Sequence, residues 1–172
     1  MSVLNRLASR LFGRRIDDLV SSSVDSELAR RDPLPDQEAL LYRYLVHGDP
    51  SRLHIDPTAV VNDALFNLSS GEITVGPYAF FGHGVSVLTG THDISKFGRE
   101  RQTAIPKSGR DVVIEEGAWL SSQVLVLGPC RIGRHAVVGA GALVMHDVDP
   151  YTVVAGRPAR VLRRIEPPLS SA

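Results

Sequence analysis

Aliphatic residues recur every six positions from Ile114 onward: Ile114, Leu120, Val126, Ile132, Val138 and Val144. Two places before each stands a small or β-branched residue: Val112, Ala118, Val124, Cys130, Ala136 and Ala142, with Val148 continuing the series. A period of six fits neither the 3.6-residue turn of a helix nor the simple alternation of a strand. It fits a very short strand followed by a tight corner, repeated, as in the hexapeptide kind of parallel β-helix. Three such units, about eighteen residues, make one coil, which covers its apolar face only by stacking on the next. A solenoid of this kind builds no pocket of its own. Function is expected on outward positions, on interruptions, or between subunits.

The beat starts faintly at Ile55 and Val61, slips by two residues around Ser69, Ser70 and Gly71, and resumes at Val75, Phe81 and Val87. The next rung would be position 93, where Asp93 stands, and the beat returns at Ile114, so a loop of 21 residues leaves the coil without shifting its phase. Loops of that length inside a compact domain are uncommon and usually functional. This one is polar, with Lys96, Arg99, Glu100, Arg101, Lys107 and Arg110.

Before the solenoid, Leu4, Leu7, Leu11, Phe12, Ile16, Leu19 and Val20 fall at helical spacing, which predicts a helix over residues 2–30. Pro33 and Pro35 break it, and a second short helix is expected from Asp36 to about Val46, with Gly48 past its end. The expected organisation is a helical segment over 1–50, an all-β solenoid over 51–149 with an excursion at about 93–113, and an extended segment over 150–172. The beat ends after Val148, and Val161 to Ile165 reads as a last helical turn or a strand.

Acidic and basic residues balance at 19 each, so no global field draws the chain to nucleic acid. Arg6, Arg10, Arg14 and Arg15 lie on a partly apolar start, which suits either a helix packed on the solenoid or peripheral contact with an anionic membrane. No apolar run reaches the roughly eighteen residues of a membrane span, and a cytoplasmic protein is the default expectation. The lone Cys130 lies on the inward lattice and reads as core filler. No Cys-x-x-Cys or His-x-x-x-His pair is present, so no metal is expected and a three-histidine zinc hydratase is disfavoured. Gly-x-Ser-x-Gly, Walker and dinucleotide fingerprints are also missing.

Two residues do not fit a purely structural account. A residue just before a rung points outward, so Trp119, the only tryptophan, needs cover from the loop, a ligand or a neighbouring subunit. His92 stands where the loop departs, and an imidazole there is able to take a proton from a hydroxyl.

From Gly90 to Ile165 the chain resembles the hexapeptide-repeat acyltransferases, in the branch of maltose, galactoside and xenobiotic O-acetyltransferases. The motifs are Thr91-His92-Asp93, the run Val113-Ile114-Glu115-Glu116-Gly117-Ala118-Trp119-Leu120-Ser121-Ser122, Arg131-Ile132-Gly133, Val138-Gly139-Ala140-Gly141-Ala142-Leu143-Val144, and Val154-Ala155-Gly156-Arg157-Pro158-Ala159-Arg160-Val161. The resemblance implies a left-handed parallel β-helix assembled as a homotrimer, with acetyl-CoA or another acyl-CoA lying between subunits. It implies transfer of the acyl group to a hydroxyl of a saccharide or glycan precursor. His92 matches the general base and acts without an acyl-enzyme. Asn62 and Trp119 match residues near the acceptor, Trp119 also walling the pantetheine path. Ser121 and Ser122 match the segment that meets the oxyanion. Gly139 and Ala140 match small residues beside pantetheine, and Arg160 and Arg163 match contacts to the coenzyme phosphates.

Two departures matter. Met145-His146 replaces a Thr-Lys or similar pair, which puts one phosphate contact in question and makes His146 the candidate there. Ser70 replaces an acidic acceptor contact, so a simple galactoside or maltose acceptor does not follow. N-acylation of an amino sugar and a non-catalytic scaffold are the competing readings.

Overall fold

The computed structural model describes residues 43–166. The helix expected over 2–30 lies outside the described residues. As far as β13 the chain visits three sheets in rotation, with a short strand or an isolated bridge in each per coil. Sheet A holds β1 (Leu45–His47), β3 (Leu65–Asn67), β6 (Ser86–Leu88), β9 (Leu125–Leu127) and β12 (Leu143–Val144). Sheet B holds β2 (Leu53–Ile55), β4 (Ile73–Val75), β7 (Val112–Ile114) and β10 (Cys130–Ile132). Sheet C holds β5 (Phe80–Phe81), β8 (Trp119–Leu120), β11 (Val137–Val138), β13 (Thr152–Ala155) and β14 (Arg160–Arg164). Every pairing is parallel except that of β13 with β14. The architecture is a β-helix.

The six-residue beat becomes three buried columns. Ile55, Val75, Ile114 and Ile132 stack in sheet B, and Phe81, Leu120, Val138 and Val154 in sheet C. Val46, Phe66, Val87, Val126 and Val144 stack in sheet A. Apart from Ile55 and Val46 these side chains are buried, and together they form one continuous core. Truncating one of its large members to Ala would cost about 2–5 kcal/mol, because a stacked column collapses poorly around a void.

Four expectations need correction. Leu45–His47 is strand rather than the end of a helix, since Leu45 N–H reaches the Ala64 carbonyl at 2.8 Å and the strand pairs with β3. The solenoid therefore begins ahead of position 51. Phe66 is the rung of sheet A, one place early on the beat, because the corner after Val61 is one residue shorter than later ones. Val148 pairs with Ile132 and so occupies a rung, because the corner after Val144 is also short. From there the beat runs on to Val154, and β13 is a further parallel strand where an irregular stretch was expected. The last segment then reverses as β14, antiparallel to β13.

Outward positions differ by sheet. Sheet B presents His54, Thr74, Val113 and Arg131, a largely polar row. Sheet A presents Leu45, Leu65, Ser86, Leu125 and Leu143, and sheet C presents Val60, Phe80, Trp119, Val137 and Val153. Leu45 is 61% exposed and Val60 53%. Apolar rows this long on a water-facing surface mark something that covers them. No described helix is long and apolar enough to cross a membrane.

Candidate active site

The edge between sheets C and A is built like a ladder. Asn62 Nδ2 donates to the Phe81 carbonyl at 2.7 Å. His83 N–H donates to Ser122 Oγ at 3.2 Å, and Gly141 N–H to the Ser122 carbonyl at 2.9 Å. Ser121 N–H is taken by the Val138 carbonyl, and Gly139 N–H by that of Val154. The fold thus lines up Asn62, Ser121, Ser122, Gly139 and Ala140 along one edge, five of the candidate residues. Trp119 stands beside it as an outward member of sheet C. Its indole stacks on Phe80, ring centroids 5.6 Å apart and 14° from parallel. Such a pair contributes about 0.5–1.5 kcal/mol beyond its burial. Asn62 sits at φ 47°, a left-handed turn position that asparagine tolerates, so it has a structural duty as well. Gly139 has one too, because a Cβ there would stand 2.9 Å from Cβ of Ala155.

The edge between sheets A and B is irregular, and it carries His92. The chain leaves β6 at Leu88, makes a six-residue helix α1 (Gly98–Thr103), and rejoins the coil at Val112. His92 is exposed, and its Nδ1 lies 3.0 Å from the Arg101 carbonyl oxygen. A carbonyl only accepts, so Nδ1 carries a proton, and in the neutral ring Nε2 presents the lone pair. Asp93 N–H donates to the Ala104 carbonyl at 2.9 Å, a second tie across the loop base. Ser70 is fully buried here, with its N–H on Thr89 Oγ1 and its carbonyl receiving Arg110 N–H. It secures the loop and has no surface to offer an acceptor.

His146 lies on the same edge near the end of the solenoid. It lines a cleft of about 260 Å³ together with Met145, Asp147, Pro158, Ala159 and Arg160. His146 and Arg160 are thereby brought together. Arg163 is exposed on β14 opposite Val153 and is not part of that lining. Cys130 is buried in the sheet B column, and burial pushes its thiol up to about 12. It is not a nucleophile at neutral pH. Among the described residues no group of three His, Cys, Asp or Glu side chains is placed to hold a metal.

His92 and the Trp119–Ser122 group stand on different edges, with the outward face of sheet A between them. One chain alone does not assemble them. Phe80 and Arg101 were not legible as site residues by type. Phe80 does stand one coil plus the loop's length before Trp119, and that spacing was a usable signal. No local motif marks Arg101.

Residues 111–146 match the bacterial transferase hexapeptide (six repeats) family. The chain is 40% identical over 105 residues to a galactoside O-acetyltransferase of Lactococcus lactis subsp. lactis, covering 59% of this chain and 49% of the relative. It is 36% identical over 114 residues to serine acetyltransferase 2 of Arabidopsis thaliana, covering 66% of this chain and 33% of the relative. The chain therefore spans half or less of the length of these relatives. A hexapeptide-repeat acetyltransferase of Vibrio cholerae O1 biovar eltor, solved with acetyl coenzyme A, shares the fold with a TM-score of 0.53 at 24% identity, over 78% of this chain and 81% of that one.

Proposed function

We propose that the protein is an acyl-CoA-dependent O-acyltransferase that uses acetyl-CoA and acylates a hydroxyl of a saccharide or glycan precursor. The observation that carries this reading is the oriented imidazole: the Arg101 carbonyl takes Nδ1–H, so Nε2 of His92 is the basic nitrogen at the loop base. His92 Nε2 removes the acceptor's hydroxyl proton as the oxygen attacks the thioester carbonyl. The tetrahedral intermediate then collapses, the C–S bond breaks, and the proton passes from the imidazolium to the departing CoA thiolate. No covalent enzyme intermediate is required, in keeping with the inert Cys130.

Ser122 suits the oxyanion better than Ser121. Its Oγ already accepts from His83 N–H, which leaves its own proton to donate outward, whereas Ser121 N–H is engaged within the ladder. The cleft of His146 and Arg160 suits the coenzyme phosphates, since an imidazole and a guanidinium line it together. Because His92 and Ser122 occupy separate edges, the site is completed between copies, in a left-handed coil assembled as a homotrimer through the apolar row of sheet A. Similarity to relatives named for a galactoside and for serine supports acetyl transfer while leaving the acceptor to be read by experiment.

The test is CoA release from acetyl-CoA with methyl galactoside, maltose, L-serine and glucosamine, with products identified by mass spectrometry. Transfer to oxygen is expected, and His92→Ala should lower kcat/KM about 10²–10⁴-fold with KM for acetyl-CoA nearly unchanged. Unchanged turnover in His92→Ala would remove the base assignment. Acetylation at the glucosamine nitrogen alone would replace O-transfer by N-transfer.

A further inference from the structure

We infer that Arg101 is a positioning residue for the base, holding the imidazole of His92 through the shape of the loop; this rests on the reading of His92 given above. The carbonyl that fixes the His92 tautomer belongs to α1, a helix six residues long with no side-chain hydrogen bond at its N-cap and no buried residue. A helix that short does not hold itself in water. Something else must keep the Arg101 carbonyl 3.0 Å from Nδ1.

The Arg101 side chain supplies that restraint. Its Nε donates to the Lys96 carbonyl at 2.5 Å and its Nη2 to the Ile94 carbonyl at 3.2 Å. Its guanidinium carbon lies 4.7 Å from the centroid of the Phe97 ring. All three contacts fall on the segment that directly follows His92. The planar fork of donors reaches two carbonyls at once while its face rests on an aromatic ring, an arrangement lysine cannot copy. The main chain of Arg101 thus holds residue 92, and its side chain holds residues 94, 96 and 97. The loop is closed on itself at one residue. Asp93 bonded to Ala104 adds a parallel tie and prevents the pair 92–93 from pivoting.

Removing the guanidinium should therefore free the carbonyl, release Nδ1, and let the imidazole populate both neutral tautomers. Only the tautomer with a bare Nε2 is the competent base, so kcat falls while acetyl-CoA binding, which lies along other elements, does not. Nitrogen NMR of the full-length protein with labelled histidine reads this directly and needs no substrate. The His92 signals are assigned by their loss in His92→Ala. The wild type should show Nδ1 protonated and Nε2 bare at a pH where the ring is neutral. Arg101→Ala should shift both signals toward a tautomer average, and Arg101→Lys should fall between. Phe97→Ala, which removes only the ring under the guanidinium, should shift them in the same direction by less, and it covers the case in which Arg101→Ala folds poorly.

With whichever acceptor of the panel turns over, Arg101→Ala should lower kcat about tenfold at constant KM for acetyl-CoA, and add nothing in the His92→Ala background. Histidine signals identical to wild type in both Arg101→Ala and Phe97→Ala would overturn the inference. So would an Arg101→Ala loss of equal size with and without His92. If His92→Ala retains full transfer while the tautomer still responds to Arg101, the base assignment fails and the positioning inference stands.

Discussion

The two edges that flank sheet A follow opposite rules. Along the C–A edge, past the shortened corner after Val61, each coil repeats the one before: a short turn, backbone hydrogen bonds passed from coil to coil, and small residues where the coils press together. Along the A–B edge no two corners are alike. One is a tight buried corner at Ser69–Gly71, one is the excursion over 89–111, one is the Gly128–Pro129 corner, and one is the shortened turn at Met145–Asp147. A regular edge cannot vary a residue without disturbing its neighbours above and below. An irregular edge is released from that constraint, so a base can be placed on it and oriented by a local loop. The regular edge offers a straight rail and the irregular one a locally held imidazole, and the proposed chemistry needs both.

The sharpest way to break this comparison is complementation. His92→Ala disables the irregular edge and Trp119→Ala the neighbourhood of the regular one. If each groove draws one edge from each of two protomers, co-expression of the two inactive variants restores activity. In a randomly mixed trimer each groove has one chance in four of combining both intact edges, so about a quarter of wild-type turnover is expected. Mixed trimers, isolated with two different affinity tags, that stay as inactive as their parents would place both residues in a site within one chain.

The stacked columns are more legible in sequence than either edge, and the reason is geometric. Coil stacking imposes one residue class at one interval, so Ile114, Leu120 and Val126 announce their columns without any knowledge of the fold. Where a corner loses a residue, the interval fails. Phe66 was missed for that reason, and Val148 was assigned to the wrong position of its repeat. β14 was undecided because a reversed strand at the end of a solenoid follows hydrogen bonds to β13 rather than any internal period. His92 and Trp119 stood out because their types clash with a lattice of small and aliphatic residues. Arg101 did not, since an arginine in a polar loop is ordinary until its three contacts are seen. The repeat makes the columns readable, and each departure from it, on either edge, hides what it carries.

A smaller effect sharpens the same contrast. Gly82 lies on the regular edge, where an added Cβ would stand 2.5 Å from both the backbone nitrogen and Oγ of Ser122. The obstacle is backbone shared with two coils, so it cannot step aside. Gly82→Ala should destabilise by about 1–3 kcal/mol, read as a lower urea midpoint at unchanged slope. Gly109 serves as the counterpart in the loop: a Cβ there meets nothing within 4 Å, though its φ of +89° still disfavours any other residue. Gly109→Ala should cost about 1 kcal/mol, from backbone strain alone. Equal costs at the two sites would mean that coil packing does not constrain the C–A edge as described.

The third edge, between sheets B and C, supplies the control. Glu115 stands there with one carboxylate oxygen bonded to Arg131 and the other accepting Arg134 N–H at 2.8 Å. The Arg131 hydrogen bond is the largest influence on the Glu115 carboxyl; it outweighs the opposing effect of burial and, joined by the Arg134 backbone bond, holds the group below the usual carboxylate range. A carboxyl whose folded value is depressed contributes stability above its unfolded value and loses it as pH falls through the folded one. Glu115→Gln should therefore cost about 1 kcal/mol at pH 7, a modest figure because Arg131 is 55% exposed. The wild-type and variant melting temperatures should converge as pH drops below the carboxylate range, while acetyl transfer at pH 7 stays at the wild-type rate. This edge has paired charges where the other two have a rail and a loop. A selective loss of turnover in Glu115→Gln, with folding intact, would bring the B–C edge into the site and end the division of labour between the other two.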